Sequence, residues 1–434
     1  MKKAQTLNDI IALKNNTQLT NKTIHMHYVR PPGKIVERIH NFFQINHFYP
    51  QKMLLIGPKG VGKRTLLQYL SQHELSNYHC LIIDLVGRLN PVDISQVDVI
   101  FCLLIHLLDT LSNIQKRLDP GVLNSIYQNL HDEQFISLIH FKKSEAGDAE
   151  GTKIGFIQSF IHAIVEAIAT AGNETRNQIR NAFEPRLRLL LKSVQELIDY
   201  INQICQRNGR SLMLVFGDLG HYHLSIAENF FENHLPLTSR LNVNIIYTMS
   251  DHVRFSPVFQ AIYDTMDRIE YLRVAAVVNQ DQTPFLPGKK YIGDIISKYI
   301  DIKLIPETII EMIIMASGGL VTDAYSLLIE TAICSLMDNS KCEHIDIKIF
   351  EQIKQQYVRQ KIQQLNYQQF SLLKDLDLSN PSWSDNSEIQ KLMMKNVLIE
   401  YEADQHVWFD IHPLIKIADL CSDRLITYEG FRKK

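Results

Sequence analysis

Apolar positions along this chain follow two rhythms. Short, near-continuous aliphatic runs at Met53–Ile56, Leu81–Leu85, Ser211–Phe216, Val243–Thr248 and Arg268–Val274 read as buried strands. Elsewhere apolar residues recur at helical spacing, and helical patterns separate most of those runs. Such strands alternating with helices predict a parallel sheet covered on both faces. One interval is long. Residues 105–210 are mostly helical in pattern, ending in Arg186–Cys205, with a polar, glycine-bearing loop at 142–153. They predict a large helical insertion within an α/β unit.

Beyond Val274 the strands stop. Ile292, Ile295, Ile296, Tyr299 and Ile300 share one helical face, and helical patterns follow at 306–316, 320–337 and 345–362. Then the rhythm changes again. Helix-like Tyr367–Asp375 and Ser387–Lys395 precede two alternating segments, Val397–Glu402 and His406–Ile411, joined by Ala403-Asp404-Gln405. Helices followed by a two-stranded hairpin describe a winged helix. The expected organisation is a lead-in at 1–47, an α/β domain at 48–274, a helical lid at 275–362 and a winged helix at 363–434.

With 45% apolar and 21% charged residues, a chain of 434 residues can bury a core without disulfides or metals. Its 45 Lys and Arg balance 47 Asp and Glu, so bulk charge attracts neither nucleic acid nor membrane. The six cysteines form no CxxC pair, which fits a reducing, cytoplasmic setting. The basic N-terminus lacks the apolar stretch of a signal peptide. The longest apolar run, Val99–Leu108, is about half a membrane span, so no membrane segment is expected.

The chemistry concentrates in one stretch. Gly57-Pro58-Lys59-Gly60-Val61-Gly62-Lys63 lies between a strand and an apolar-periodic helix, the setting a Walker A phosphate loop requires. Its glycines let backbone amides curl around phosphate oxygens, and the helix start adds favourable partial charge. Lys63 would reach the terminal phosphates as a point charge. Together with Arg64 and Thr65 this loop is the candidate site for ATP or ADP. The residue after the lysine ordinarily offers a hydroxyl to Mg²⁺, and here it is Arg64. Thr65 is rotated about 100° further along the helix. Phosphate binding survives that change, ordinary Mg²⁺ ligation does not follow, and Arg64 becomes a candidate replacement cation.

A P-loop enzyme also carries an acid at the end of a neighbouring strand, holding Mg²⁺ and orienting water. Ser211–Phe216 runs into Gly217-Asp218, so Asp218 is the candidate catalytic and metal-ligating carboxylate. A turn or helix cap is the alternative role. No second acid follows it.

On these residues the chain resembles bacterial P-loop ATPases lying between initiator-type AAA+ proteins and STAND switches, over about residues 28–415. The resemblance implies a P-loop NTPase sheet followed by a lid and a winged helix. The acidic strand of such proteins commonly ends Asp-Gly-Leu-Asp, and aligned that way Gly217 and Gly220 replace both acids. Gly318-Gly319-Leu320 matches the start of a lid helix, with Thr322 where AAA+ members place a sensor arginine. The sensor strand corresponds to 243–248, which makes Thr248, or Ser250 beyond it, the candidate catalytic tip. A nucleotide-contacting histidine of the STAND winged helix corresponds to His412; a core histidine held by its neighbours is the alternative.

Other features carry blander readings. His221, His223 and His234 have no carboxylate or thiol at ligand spacing. Arg176, Arg180, Arg186, Arg188 and Lys192, diluted by acids, read as a solvated helix face. The winged helix offers Gln390, Lys391 and Lys395 against seven acids between Asp375 and Asp404, poor electrostatics for DNA. Arg240, Arg254 or Arg268 is a candidate arginine finger acting on a neighbouring subunit of an oligomer. The leading expectation is a regulatory ATPase with weak or lost hydrolysis, a switch or scaffold for a separately encoded effector. By resemblance, such proteins sit in mobile-element or anti-phage modules. An active DNA-associated loader and a nucleotide-free structural pseudo-ATPase are the alternatives.

Overall fold

The computed structural model describes residues 3–15, 23–45, 49–85, 88–89, 93–114, 120–130, 152–170, 172–217, 224–376, 378, 386–404 and 406–416. Five strands, β1 (Lys52–Ile56), β2 (Tyr78–Asp84), β3 (Ser211–Gly217), β4 (Asn244–Met249) and β5 (Arg268–Tyr271), form an all-parallel sheet ordered β2-β3-β4-β1-β5. This is the expected α/β P-loop architecture. Strand β1 is buried along its whole length between β4 and β5, so its C-terminal end opens at the middle of the sheet edge.

The run read as one strand at 268–274 is two. Leu272 N–H still donates to Ile56 O at 2.8 Å, which closes the ladder beside β1. The chain then leaves the sheet, and Val274–Ala275 becomes β6 of a second sheet with β7 (Leu398–Ala403) and β8 (His406–Ile411). Strand β6 runs parallel to β7, and β7 and β8 form the antiparallel hairpin. The hairpin is thus welded to the end of β5 rather than hung on a separate unit.

The insertion packs Gln96–Ile114 against Leu187–Gln206 and Thr152–Thr170. Gln96–Ile114 has the length and hydropathy to cross a bilayer, but most of it is buried against these helices, the state of a core helix. The arginines read as a solvated face divide. Arg176 and Arg180 turn inward, and Arg180 holds the buried Asp98 at 2.6 Å and Asp93 at 2.5 Å. His234 is a buried core residue on the Ile94 carbonyl at 3.1 Å, whereas His221 and His223 lie outside the described residues. Most of the 142–153 loop also lies outside them.

Four helices, Leu286–Tyr299, Glu307–Ser317, Val321–Asp338 and Ile347–Gln363, make a second core. The N-terminal segment joins it. Leu7, Ile10 and Leu13 form one apolar stripe, and the Leu7–Ala12 helix packs on Val321–Asp338. Residues Ile35, Val36, Ile39 and Phe43 pack instead on the sheet. The first 47 residues therefore tie both cores together, because their apolar spacing gives them faces to bury.

Candidate nucleotide site at the ends of β1 and β4

Strand β1 delivers the phosphate loop. Gly57 N–H donates to Met249 O at 3.1 Å, which fastens the loop to β4. A Cβ on Gly57 would collide with the Leu272 carbonyl, so only glycine passes there. Gly60 and Gly62 have φ of 86° and 101°, the left-handed region, and a Cβ on Gly60 would also strike the Thr322 side chain. Thr322, at the sensor-arginine position, thus closes directly onto the loop. Lys63 starts the Lys63–Tyr69 helix, and its Nζ donates to Gly57 O at 2.6 Å and Pro58 O at 2.9 Å. Pro58 and Val61 are buried, Lys59 is exposed, and Thr65 is half-buried. The glycine geometry and the lysine over two carbonyls fit a phosphate group. Arg64 is exposed on the first helical turn, so its charge is not folded into the loop as Lys63's is.

The other candidates divide. Asp218 lies outside the described residues; β3 ends at Gly217. Thr248 is 1% exposed, and its hydroxyl donates to Phe216 O at 3.0 Å, a cross-strand bond inside the sheet. That proton is committed to β3. Ser250 is buried, its Oγ 3.5 Å from Asp251. Among the described residues no group of three or more His, Cys, Asp or Glu side chains is placed to hold a metal ion. With Arg64 in the hydroxyl's place, the described residues do not fit an ordinary Mg²⁺ site.

Asp251, passed over in the sequence, is the acid the structure brings to the loop. It opens the short helical turn Asp251–Phe255 after β4 and is 2% exposed. Its Oδ2 has no hydrogen-bond partner. Burial pushes its carboxyl up to about 6, against the opposing charges of Lys63 and then Arg254. The polar run Thr248-Met249-Ser250-Asp251 at the end of an apolar strand was the available signal.

Arg254 is no exposed finger. Its guanidinium meets Glu400 of β7 through two bonds of 3.0 Å and lies over the Phe255 and Tyr271 rings. Arg273 reaches Glu400 at 3.0 Å and Glu402 at 3.4 Å. Arg268 pairs with Glu270 at 2.7 Å, and Arg240 is exposed. Asn396, held at φ 52° just before the hairpin, donates to Lys59 O at 2.9 Å. The C-terminal segment therefore closes onto the phosphate loop itself.

His412 does not reach that loop. It is fully buried, its Nδ1 accepts from Leu414 N–H at 3.1 Å, and its Nε2 therefore carries the proton. Nε2–H donates to Asp323 Oδ2 at 3.0 Å, and Lys361 reaches the same oxygen at 2.9 Å. Burial alone would raise the Asp323 carboxyl, but the His412 bond and the Lys361 charge hold it down at about 2. Both ring nitrogens are committed, so the phosphate-contact reading gives way to a clamp between lid and hairpin. The Gly318-Gly319 pair makes the neighbouring junction. Both have positive φ, and a Cβ would meet Pro413 at Gly318 and the Ala275 carbonyl at Gly319.

A cavity of about 430 Å³ adjoins the loop, lined among others by Pro32, Ile35, Val61, Leu272, Tyr291 and Gly319. Its walls are mixed, with Lys34, Arg38 and Glu402 beside the apolar residues, and its size suits a purine and ribose. No family model matches the sequence, and no curated protein matches it. Solved structures are similar to it at low levels, two of them as follows. Cdc6p from Pyrobaculum aerophilum is 13% identical with a TM-score of 0.39, over 95% of this chain and 99% of that one. A Walker-type ATPase of Pyrococcus abyssi is 14% identical with a TM-score of 0.39, over 90% and 99%. Such similarity assigns no activity, so the site is read from its own geometry.

Proposed function

We propose that this chain is an adenine-nucleotide-binding regulatory ATPase of the AAA+/STAND kind with weak or lost hydrolysis. It acts in the cytoplasm as a switch or scaffold for a separately encoded effector, the setting of a mobile-element or anti-phage module. One observation carries the reading. The phosphate loop has its glycines and lysine in place, and the C-terminal segment is docked on it through Asn396 and the Arg254–Glu400 pair. Nucleotide at that loop would be felt by the hairpin directly. Weak turnover follows from Arg64 standing where the Mg²⁺-binding hydroxyl belongs.

The nucleic-acid alternative is opposed by where its side chains go. Gln390 is buried and bonded to the Phe255 carbonyl, Lys391 pairs with Glu388 at 2.5 Å, and Lys395 donates to Gln364 O at 2.6 Å. A recognition helix committed to its own chain supports a protein-facing role. Calorimetric titration of ADP and ATP onto wild type and Lys63→Ala tests the reading. The lysine's charge-assisted bond contributes roughly 1.5–3 kcal/mol, so the variant should bind at least about tenfold more weakly. Equal affinities would remove the phosphate-loop assignment.

A further inference from the structure

We infer that Asp251 is a specificity-determining residue that makes this phosphate site favour a nucleoside diphosphate over a triphosphate. The inference rests on the nucleotide-binding reading above. Its first support is position. Ile56 of β1 pairs with Met249 of β4, and the loop's first amide is bonded to the Met249 carbonyl. Asp251 follows two residues later, at the same end of the sheet. Its second support is solvation. The carboxylate is 2% exposed, one oxygen has no hydrogen-bond partner, and its remaining donors are the Ser250 hydroxyl at 3.5 Å and the His252 backbone N–H. A buried carboxylate with one oxygen lacking a donor is only partly damped and depends on the charges around it.

The charges around it complete the argument. Lys63 and Arg254 are the cations that face it, and Glu400 is the facing anion. Arg254 offsets Asp251 second to Lys63, and it is held in place by Glu400 through both its terminal nitrogens, so it cannot move closer when Lys63 is drawn away. Lys63 is the loop lysine, whose role is to reach the β- and γ-phosphates. When it does, Asp251 loses its main compensation at the moment more negative charge arrives nearby. A third phosphate adds at least one further charge, and a closed site screens it poorly. Elsewhere a divalent cation offsets that charge, but Arg64 has replaced the hydroxyl that would seat it. A diphosphate avoids most of the repulsion.

The test is titration of ADP and ATP onto the full chain, wild type and Asp251→Asn, each with Mg²⁺ and with EDTA. Wild type is expected to bind ADP at least about tenfold more tightly than ATP in EDTA at about pH 8, well above the pH near 6 at which the carboxyl takes up a proton instead of repelling phosphate. Asp251→Asn should bring the two within about threefold, the gain falling mainly on ATP. A purely structural role would weaken both nucleotides together and leave their ratio alone. Three results would overturn the inference: equal affinities in wild type, an unmoved ratio in Asp251→Asn, or loss of Mg²⁺-dependent ATP binding in the variant. The last would make Asp251 a metal ligand. If the variant does not fold, equal wild-type affinities for ADP and ATP would still overturn the inference. Binding abolished by Lys63→Ala alongside equal wild-type affinities overturns this inference alone, whereas no binding of either nucleotide removes both.

Discussion

Two carboxylates, Asp251 buried and Asp323 half-buried, flank the junction between the sheet and the C-terminal segment, and they are handled in opposite ways. Asp323, on the Val321–Asp338 helix, receives His412 and Lys361 within 3.0 Å and is held down at about 2. Asp251, at the end of β4, has an oxygen without a donor and is pushed up to about 6. Asp251 is the more deeply buried, 2% exposed against 18% for the Asp323 side chain, yet burial disfavours the ionised form of both. What differs is the supply of donors, and that separates a clamp from a site kept ready for a ligand.

The largest effect expected from breaking this contrast is on the clamp. Asp323→Ala leaves the Lys361 ammonium and the His412 N–H without an acceptor in a closed interior. It should lower unfolding free energy by roughly 3 kcal/mol, read from urea denaturation. A loss under about 1 kcal/mol would mean that the three side chains are not a clamp.

The next effect is on pH dependence, and the two acids have opposite signs. Asp323 has a folded pKa below its unfolded value of 3.8, so its contribution is full above about pH 4 and fades as pH falls toward about 2. Asp251 has a folded pKa above 3.8, so its contribution is full below about pH 4 and is lost as pH rises through about 6. Its loss is on the order of 3 kcal/mol. Asp251→Asn should therefore flatten the stability profile between about pH 4 and pH 6 and stabilise the protein at pH 7. An unchanged slope in that window would show the carboxylate to be paired after all.

The smallest effect concerns the contact between loop and hairpin. Asn396→Ala removes one hydrogen bond to the Lys59 carbonyl and should cost about 0.5–1.5 kcal/mol of stability. The useful readout is local. Hydrogen exchange of Leu398–Ala403 should quicken, while that of β2 and β3 stays as in wild type.

These contrasts explain what was legible beforehand. Strands β1 to β4 were readable because short, near-continuous apolar runs have few other uses, and the phosphate loop because the first of them runs into Gly57. The hairpin at 398–411 was readable from its alternation. The break at Leu272 was not, since both halves of Arg268–Val274 are apolar and only a partner more than a hundred residues away shows which sheet each joins. His412 was picked out by position, but its role depends on Asp323, 89 residues earlier. Asp251 looked like an ordinary polar residue after a strand. Its meaning comes from β4 lying next to β1, which is a fact of topology rather than of local pattern.

The two residues between β5 and β6 have a mechanical consequence. Leu272 closes the ladder beside β1 and holds its carbonyl over Gly57, while Arg273 is anchored to the hairpin. A tug on the hairpin travels through two peptide units to the roof of the phosphate loop, with no slack to absorb it. An effector that bends the hairpin outward would raise that roof and speed nucleotide escape, whereas one that presses it inward would brake release. The segment is a short lever between hairpin and loop, and on the proposed nucleotide-binding reading load as well as ligand would set how long a nucleotide stays.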